Sequence, residues 1–65
     1  MRTMSKKNLL SFFTNLKFII DKKQLFSYFE DFNNDTKFKV ELRDRKIFIT
    51  SLSGEVISII NVPSR

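Results

Sequence analysis

The side chains able to do chemistry in this chain are amines, guanidinium groups and carboxylates, because its 65 residues include neither histidine nor cysteine. The usual general base near neutral pH, the thiolate nucleophile and the commonest metal ligands are therefore missing. The sequence also contains no glycine-rich phosphate loop and no paired-carboxylate motif. We expect a protein that is not an enzyme and that uses no catalytic residue, metal, cofactor or small-molecule substrate.

Basic residues outnumber acidic ones by twelve to seven, which gives a net charge of +5. This balance favours nucleic acid, anionic lipid or an acidic protein surface as a partner, although it also serves simply to keep a small domain in solution. The lysines of most interest in the second half of the chain are Lys37, Lys39 and Lys46. A secondary basic cluster in the first half consists of Lys6, Lys7, Lys22 and Lys23.

A chain of this length is expected to form a single small domain, residues 1–65, whose limited core makes it marginally stable. Without a disulfide or a metal, association with a partner or with a second copy is the remaining source of stability. The usage of Lys, Asn, Ile and Phe, residues with AT-rich codons, suggests a phage or another mobile element as the source.

The longest apolar-rich run, residues 9–20, is too short to span a membrane and is interrupted by Asn15 and Lys17. No small-residue cleavage site of a signal peptide follows it. We therefore expect a cytoplasmic protein, acting in the host cytoplasm if a phage encodes it.

The elements that must position these side chains begin with a helical part, about residues 5–32. We expect residues 1–4 to form a loose terminus. Ser5 is a predicted helix cap, and the apolar residues after it recur at helical spacing and form a wide stripe. Asp21, followed three residues later by a glutamine, predicts the cap of a second helix over about residues 22–32.

The remainder, about residues 36–62, has the alternation of a β-meander. Arg43-Asp44 and Ser53-Gly54 are the predicted two-residue turns between its strands. The predicted strands are 36–42, 46–52 and 55–62. The predicted fold class is α+β, with one or two N-terminal helices packed on one face of a three-stranded antiparallel β-meander.

These turns decide which side chains share a face of the sheet, because cross-strand partners point the same way. In this register Lys39 faces Phe48, and Thr50 faces Ile57. The core face gathers Phe38, Val40, Ile47, Ile49, Val56 and Ile60. The opposite face gathers four apolar side chains with a rim of lysines: Phe48, Leu52, Ile57 and Ile59, edged by Lys37, Lys39 and Lys46.

Three arrangements could cover this second apolar face: the two helices could split between the faces, a second copy could form a homodimer, or another macromolecule could dock. Our leading hypothesis is a protein-binding module, an inhibitor or adaptor that docks an acidic partner surface on the lysine-rimmed face. The alternative is a small basic nucleic-acid-binding protein, in which the lysines contact phosphates and Phe48 stacks on a base. A membrane-surface role for residues 5–20 ranks third, because their apolar side chains are needed as core.

Overall fold

The computed structural model describes residues 2–63 and contains a four-stranded antiparallel sheet and two helices. In the order of the chain, both helices come after the first strand and before the second. The elements are β1 (Arg2–Ser5), α1 (Lys6–Asn15), α2 (Lys22–Ser27), β2 (Lys37–Arg43), β3 (Lys46–Ser51) and β4 (Val56–Asn61). The strand order is β1-β2-β3-β4. The predicted α+β class is confirmed, whereas the predicted number of strands is wrong. No helix within residues 2–63 has the length and apolar character needed to cross a membrane.

The additional strand, β1, forms where we expected a loose terminus. Thr3 pairs with Lys39, and Met4 pairs with Phe38, so the segment continues the alternation of β2. Met4 is partly buried and packs against the core. Four residues are too few to show a period, and the segment becomes a strand because β2 offers it a partner.

Both helices begin at the caps that the sequence predicts. The Asn8 N–H donates to Ser5 Oγ at 3.3 Å, and the Gln24 N–H donates to Asp21 Oδ1 at 3.0 Å. The second helix is shorter than predicted: α2 ends at Ser27, and turns with i to i−3 hydrogen bonds continue the chain to residue 32.

An aromatic cluster joins the helical layer to the sheet. The Phe29 ring meets Phe38 edge-to-face, with centroids 5.4 Å apart and an interplanar angle of 88°, and it also lies 5.8 Å from the Phe13 ring. Phe32 makes a second edge contact with Phe38 at 5.1 Å. The buried core consists of Leu9, Phe13, Leu25, Phe29, Phe38, Val40, Ile47 and Ile49. Since both helices contribute to this one cluster, they pack on the same face of the sheet and do not split.

The turn between β2 and β3 is Asp44-Arg45, one residue later than the predicted Arg43-Asp44. Asp44 and Arg45 have φ values of 52° and 61°, the left-handed pair of a type I′ turn, whose twist matches that of a hairpin. The pairing therefore shifts by two residues, and Glu41 rather than Lys39 lies opposite Phe48. Since side chains alternate with a period of two, the residues of β2 and β3 keep their predicted faces.

The second hairpin closes through a longer connection than the predicted Ser53-Gly54 turn. The Ser51 N–H donates to the Glu55 carbonyl at 2.8 Å, and Ser51 Oγ accepts from the Glu55 N–H at 3.1 Å. Gly54, with φ at 101°, donates its N–H to the Ser51 carbonyl at 3.0 Å. The hydroxyl of Ser51 thus holds a compact loop from residue 52 to residue 55.

This closure is followed by a β-bulge that changes one of the predicted site residues. Between β3 and β4, Ile49 pairs with Ser58 as predicted, but Thr50 pairs with Val56 instead of Ile57. Ile57 is the extra residue of the bulge, and it packs against the buried cluster. The prediction that Ile57 lies on the face opposite the helices is therefore wrong, and Val56 takes that place.

Truncation of Phe29 tests whether the aromatic cluster holds the two layers together. Phe29→Ala should lower the free energy of unfolding by about 3–5 kcal/mol, because it removes a fully buried ring and leaves a cavity. A loss of this size leaves a domain of 65 residues mostly unfolded. Urea unfolding followed by circular dichroism measures the change.

Ile20 provides the matched control, since its side chain is 98 % exposed. Ile20→Ala should change the free energy of unfolding by less than about 0.5 kcal/mol. A Phe29→Ala variant as stable as the Ile20→Ala variant would show that the cluster does not hold the fold together.

Candidate functional site

The candidate site is the face of the sheet that points away from the helices, which we call the outer face. Strand alternation and the observed pairings assign to it every second residue of each strand. Its apolar side chains are Phe48, Val56 and Ile59. Its basic side chains are Lys37, Lys39, Arg43 and Lys46. Its other members include Thr3, Glu41, Thr50 and Asn61.

Phe48 lies near the centre of the outer face, on the inner strand β3. It pairs with Glu41 of β2 on one side and with Ile59 of β4 on the other. The guanidinium carbon of Arg43 lies 4.6 Å from the centroid of the Phe48 ring, within the range of a cation–π contact. The ring is therefore half-buried, with a charged group held directly against it.

The outer face is divided across the sheet into an apolar half and a basic half. On the β4 side, Val56 and Ile59 are 53 % and 51 % exposed. On β2, three basic side chains and the single acid Glu41 occupy successive outward positions. Lys46 pairs with Arg43 at the turn end of the hairpin. An apolar strip thus lies beside a row of positive charges.

The structure brings most of the predicted site residues together. Phe48 and Ile59 share the outer face with the three predicted lysines, Lys37, Lys39 and Lys46. Leu52 is predicted to end the second strand of the meander on this face, but β3 ends at Ser51 and Leu52 lies in the loop that follows, 55 % exposed. Their role in binding stays a prediction.

Sequence reasoning missed two members of the outer face, Arg43 and Val56. The alternation of β2 already placed Arg43 in line with Lys39 and Glu41, but the predicted turn removed it from the strand. No signal in the sequence identified Val56, because the bulge at Ile57 determines which face of the sheet the Val56 side chain lies on.

Lys6, one member of the secondary basic cluster, has a structural contact. Lys6 Nζ donates to the Phe32 carbonyl at 2.7 Å, at the end of the segment that follows α2. The N–H groups of Lys6 and Lys7 donate to the carbonyls of Thr36 and Asn34, which satisfies two donors in the first turn of α1. Lys22 and Lys23 begin the other helix, α2. Lys6 thus anchors the end of the helical layer.

Two observations bear on small-molecule and metal sites in the part of the chain that the structure describes. Residues 2–63 contain no group of three or more acidic side chains that could hold a metal ion. An open groove of about 460 Å³ lies beside β1 and β2, and its charged lining is Arg2 and Glu41.

The chain matches no protein-family model, and comparison with curated proteins and with solved structures found no similar chain. Its function must therefore be argued from the geometry and charge of its own surfaces.

Replacement of Lys6 and Lys7 separates the structural lysine from an exposed neighbour. Lys6→Met keeps the length of the side chain but removes the charge-assisted hydrogen bond to the Phe32 carbonyl, so it should cost about 1.5–3 kcal/mol of unfolding free energy. Lys7→Met, at an exposed position, should change stability by less than about 0.5 kcal/mol. Urea denaturation measures both, and equal stabilities would contradict a structural role for Lys6.

Proposed function

We propose that this chain is a small, non-enzymatic protein-binding module that docks an acidic surface of a partner protein on its outer face. The observation that supports this proposal is the placement of half-exposed apolar side chains next to a row of basic ones, on a face against which neither helix packs. Contiguous apolar surface of this kind usually marks an interface.

The apolar half has the side chains of a protein-binding centre. Phe48 supplies an aromatic anchor, and Ile59 and Val56 supply aliphatic surface beside it. Protein interfaces are built in this way, with an apolar centre inside a polar rim. Aliphatic side chains also fit a protein surface better than the faces of nucleic-acid bases.

The basic half favours an acidic partner. Lys37, Lys39 and Lys46 would attract carboxylates and raise the association rate more than the affinity. Arg43 has a further role, because its contact with the Phe48 ring restrains a guanidinium group that can pair with a carboxylate through two hydrogen bonds. An anchor that is restrained before binding loses less entropy when the partner arrives.

Nucleic-acid binding is the second candidate, and the row of basic side chains on β2 is what favours it. Base stacking needs accessible aromatic faces. Within residues 2–63, Phe48 is the one aromatic side chain that alternation places on the outer face, and Arg43 already lies against its ring. The protein partner is therefore the better-supported proposal.

The composition supports one further part of this proposal, that the module is an inhibitor or adaptor from a phage or mobile element. Such a protein would meet its partner in the host cytoplasm.

Substitution of Ile59 tests the proposed function. Ile59→Glu places a negative charge in the apolar half at a position that is 51 % exposed, so the chain should still fold. The immobilised chain would be used to capture its partner from a nuclease-treated lysate of the source cell, and the captured protein would then be titrated. We expect Ile59→Glu to weaken binding at least about 30-fold, as for a hot-spot residue.

Leu42→Glu is the matched control, because Leu42 is 70 % exposed but belongs to the other face of β2. It should bind like the wild type. Equal losses in both variants, or full binding by Ile59→Glu, would contradict the assignment of the site to the outer face.

Salt dependence separates the protein partner from nucleic acid. Binding of a single-stranded oligonucleotide through four basic side chains would weaken about 50-fold between about 50 and 200 mM salt. Docking centred on apolar side chains should weaken less than about tenfold over the same range. Titrations of the captured protein and of an oligonucleotide measure both. Tight, steeply salt-dependent binding of the oligonucleotide alone would favour the second candidate.

A further inference from the structure

The sheet has an open edge at β4, a strand that carries a bulge at Ile57 but lacks the charged side chains that protect many edge strands. β4 is hydrogen-bonded to β3 on one side and ends the strand order on the other. Its six residues carry no charge, and most of them are β-branched. The other edge, β1, is shorter, begins with Arg2 and leads directly into α1. Charges and short length are common devices against edge pairing, so β4 is the edge that can accept another strand.

The backbone groups that face this edge can be identified. The Val62 N–H donates to the Arg45 carbonyl at 2.8 Å, so Val62 directs its N–H toward the β3 side. Consecutive residues of an antiparallel strand face opposite edges. Ser58 and Ile60 therefore point inward like Val62, whereas Ile59 and Asn61 present their N–H and C=O groups at the open edge.

A groove of about 370 Å³ lies along the same edge. Consecutive residues of β4 line it, from Val56 to Ile59, so the groove follows the edge of the strand and not one face of the sheet. Tyr28, which is 51 % exposed and follows α2, forms its other wall. The helical layer therefore leaves room beside the first part of β4, at residues 56–59.

We propose that β4 of a second copy occupies this edge, so that two chains join their sheets antiparallel about a two-fold axis. The regular part of the strand runs from residue 58 to its end at Asn61, and Val62 continues the pairing through its hydrogen bond to Arg45. The centre of this stretch, between the bulge at Ile57 and Pro63, is Ile60. Pairing this stretch with itself places Ile59 opposite Asn61 of the second copy. The two such pairs exchange about four backbone hydrogen bonds.

Two arguments identify a second copy of the chain as the partner at this edge: the lack of charge on β4, and the closed assembly that two-fold pairing produces. An uncharged strand places no like charges opposite one another when it pairs with its own copy, and it offers no charge with which to select a foreign strand. The two-fold pairing uses the only β4 edge of each chain and leaves the short β1 edge at both ends of the joined sheet. Such an interface is isologous, and the assembly stops at the dimer. This inference does not depend on the proposed function, because the outer face stays open.

Proline at position 61 tests the proposal. The Asn61 N–H points outward, so Asn61→Pro removes a donor that only the second copy would use, and proline is tolerated where an edge strand faces solvent. Asn61→Thr keeps the donor and is the matched control. In sedimentation between about 10 µM and 1 mM, the wild type and Asn61→Thr should rise from the 7.8 kDa monomer toward twice that mass. Asn61→Pro should remain monomeric with an unchanged circular dichroism spectrum.

Amide hydrogen exchange of the wild-type chain provides a second measurement that needs no variant. The outward amides of Ile59 and Asn61 should be protected at high concentration and exchange rapidly at low concentration, whereas those of Ser58 and Ile60 should be protected at both. A wild type that stays monomeric at about 1 mM, or an Asn61→Pro variant that dimerises like the wild type, would overturn the proposal. Assemblies larger than a dimer would overturn it as well.

Discussion

The edge-to-face contact between Phe29 and Phe38 is the interaction on which the rest of the structure depends. Phe38 lies on the inner strand β2, and Phe29 lies in the turn after α2, so their contact ties the end of the helical layer to the middle of the sheet. Phe13 adds α1 to the same cluster. Because both helices are held on one face, the other face receives no helix. The open outer face is therefore a direct consequence of where the aromatic rings meet.

Two irregularities in the hairpins have opposite effects on that face. The turn at Asp44-Arg45 moves the pairing of β2 and β3 by two residues, which changes the neighbours of Phe48 but not the direction in which any side chain points. The bulge inserts one residue into β4, which reverses the directions of Val56 and Ile57 relative to a regular strand. A one-residue insertion in a strand therefore changes which side chains lie on this surface, whereas a one-residue shift of the turn does not.

The local features of this fold were predictable from the sequence. In the caps at Ser5 and Asp21, the side chain accepts a hydrogen bond from the backbone N–H three residues later. The alternation of β2 and β3 identified the core face of these two strands and the positions of Phe48 and the three lysines, because the period of two and a turn position correct within one residue suffice for that. Ile59 lies on β4, where Ser58, Ile59 and Ile60 keep their predicted partners.

The sequence did not predict three features of the fold: the strand β1, the position of the first hairpin turn, and the bulge in β4. β1 is too short to show a pattern, and it forms by pairing with β2, more than thirty residues away. The type I′ turn contains no glycine or asparagine, so nothing in the sequence distinguished Asp44-Arg45 from Arg43-Asp44. The bulge follows from the way in which Ser51 and Glu55 close the loop, a detail of hydrogen bonding that composition does not reveal.

The outer face and the edge of β4 meet at Ile59 but use different parts of that residue. Its side chain points onto the outer face, whereas its N–H and C=O lie in the plane of the sheet and face the edge. Pairing of two copies through the backbone would therefore leave the side chain free for a partner. In the two-fold arrangement that we propose, the apolar halves of the two outer faces become neighbours at the centre, and the basic rows on β2 lie toward the two ends. A partner with an apolar strip between two acidic patches would then meet both copies at once, and linking the two contacts in this way raises the apparent affinity without any new interaction.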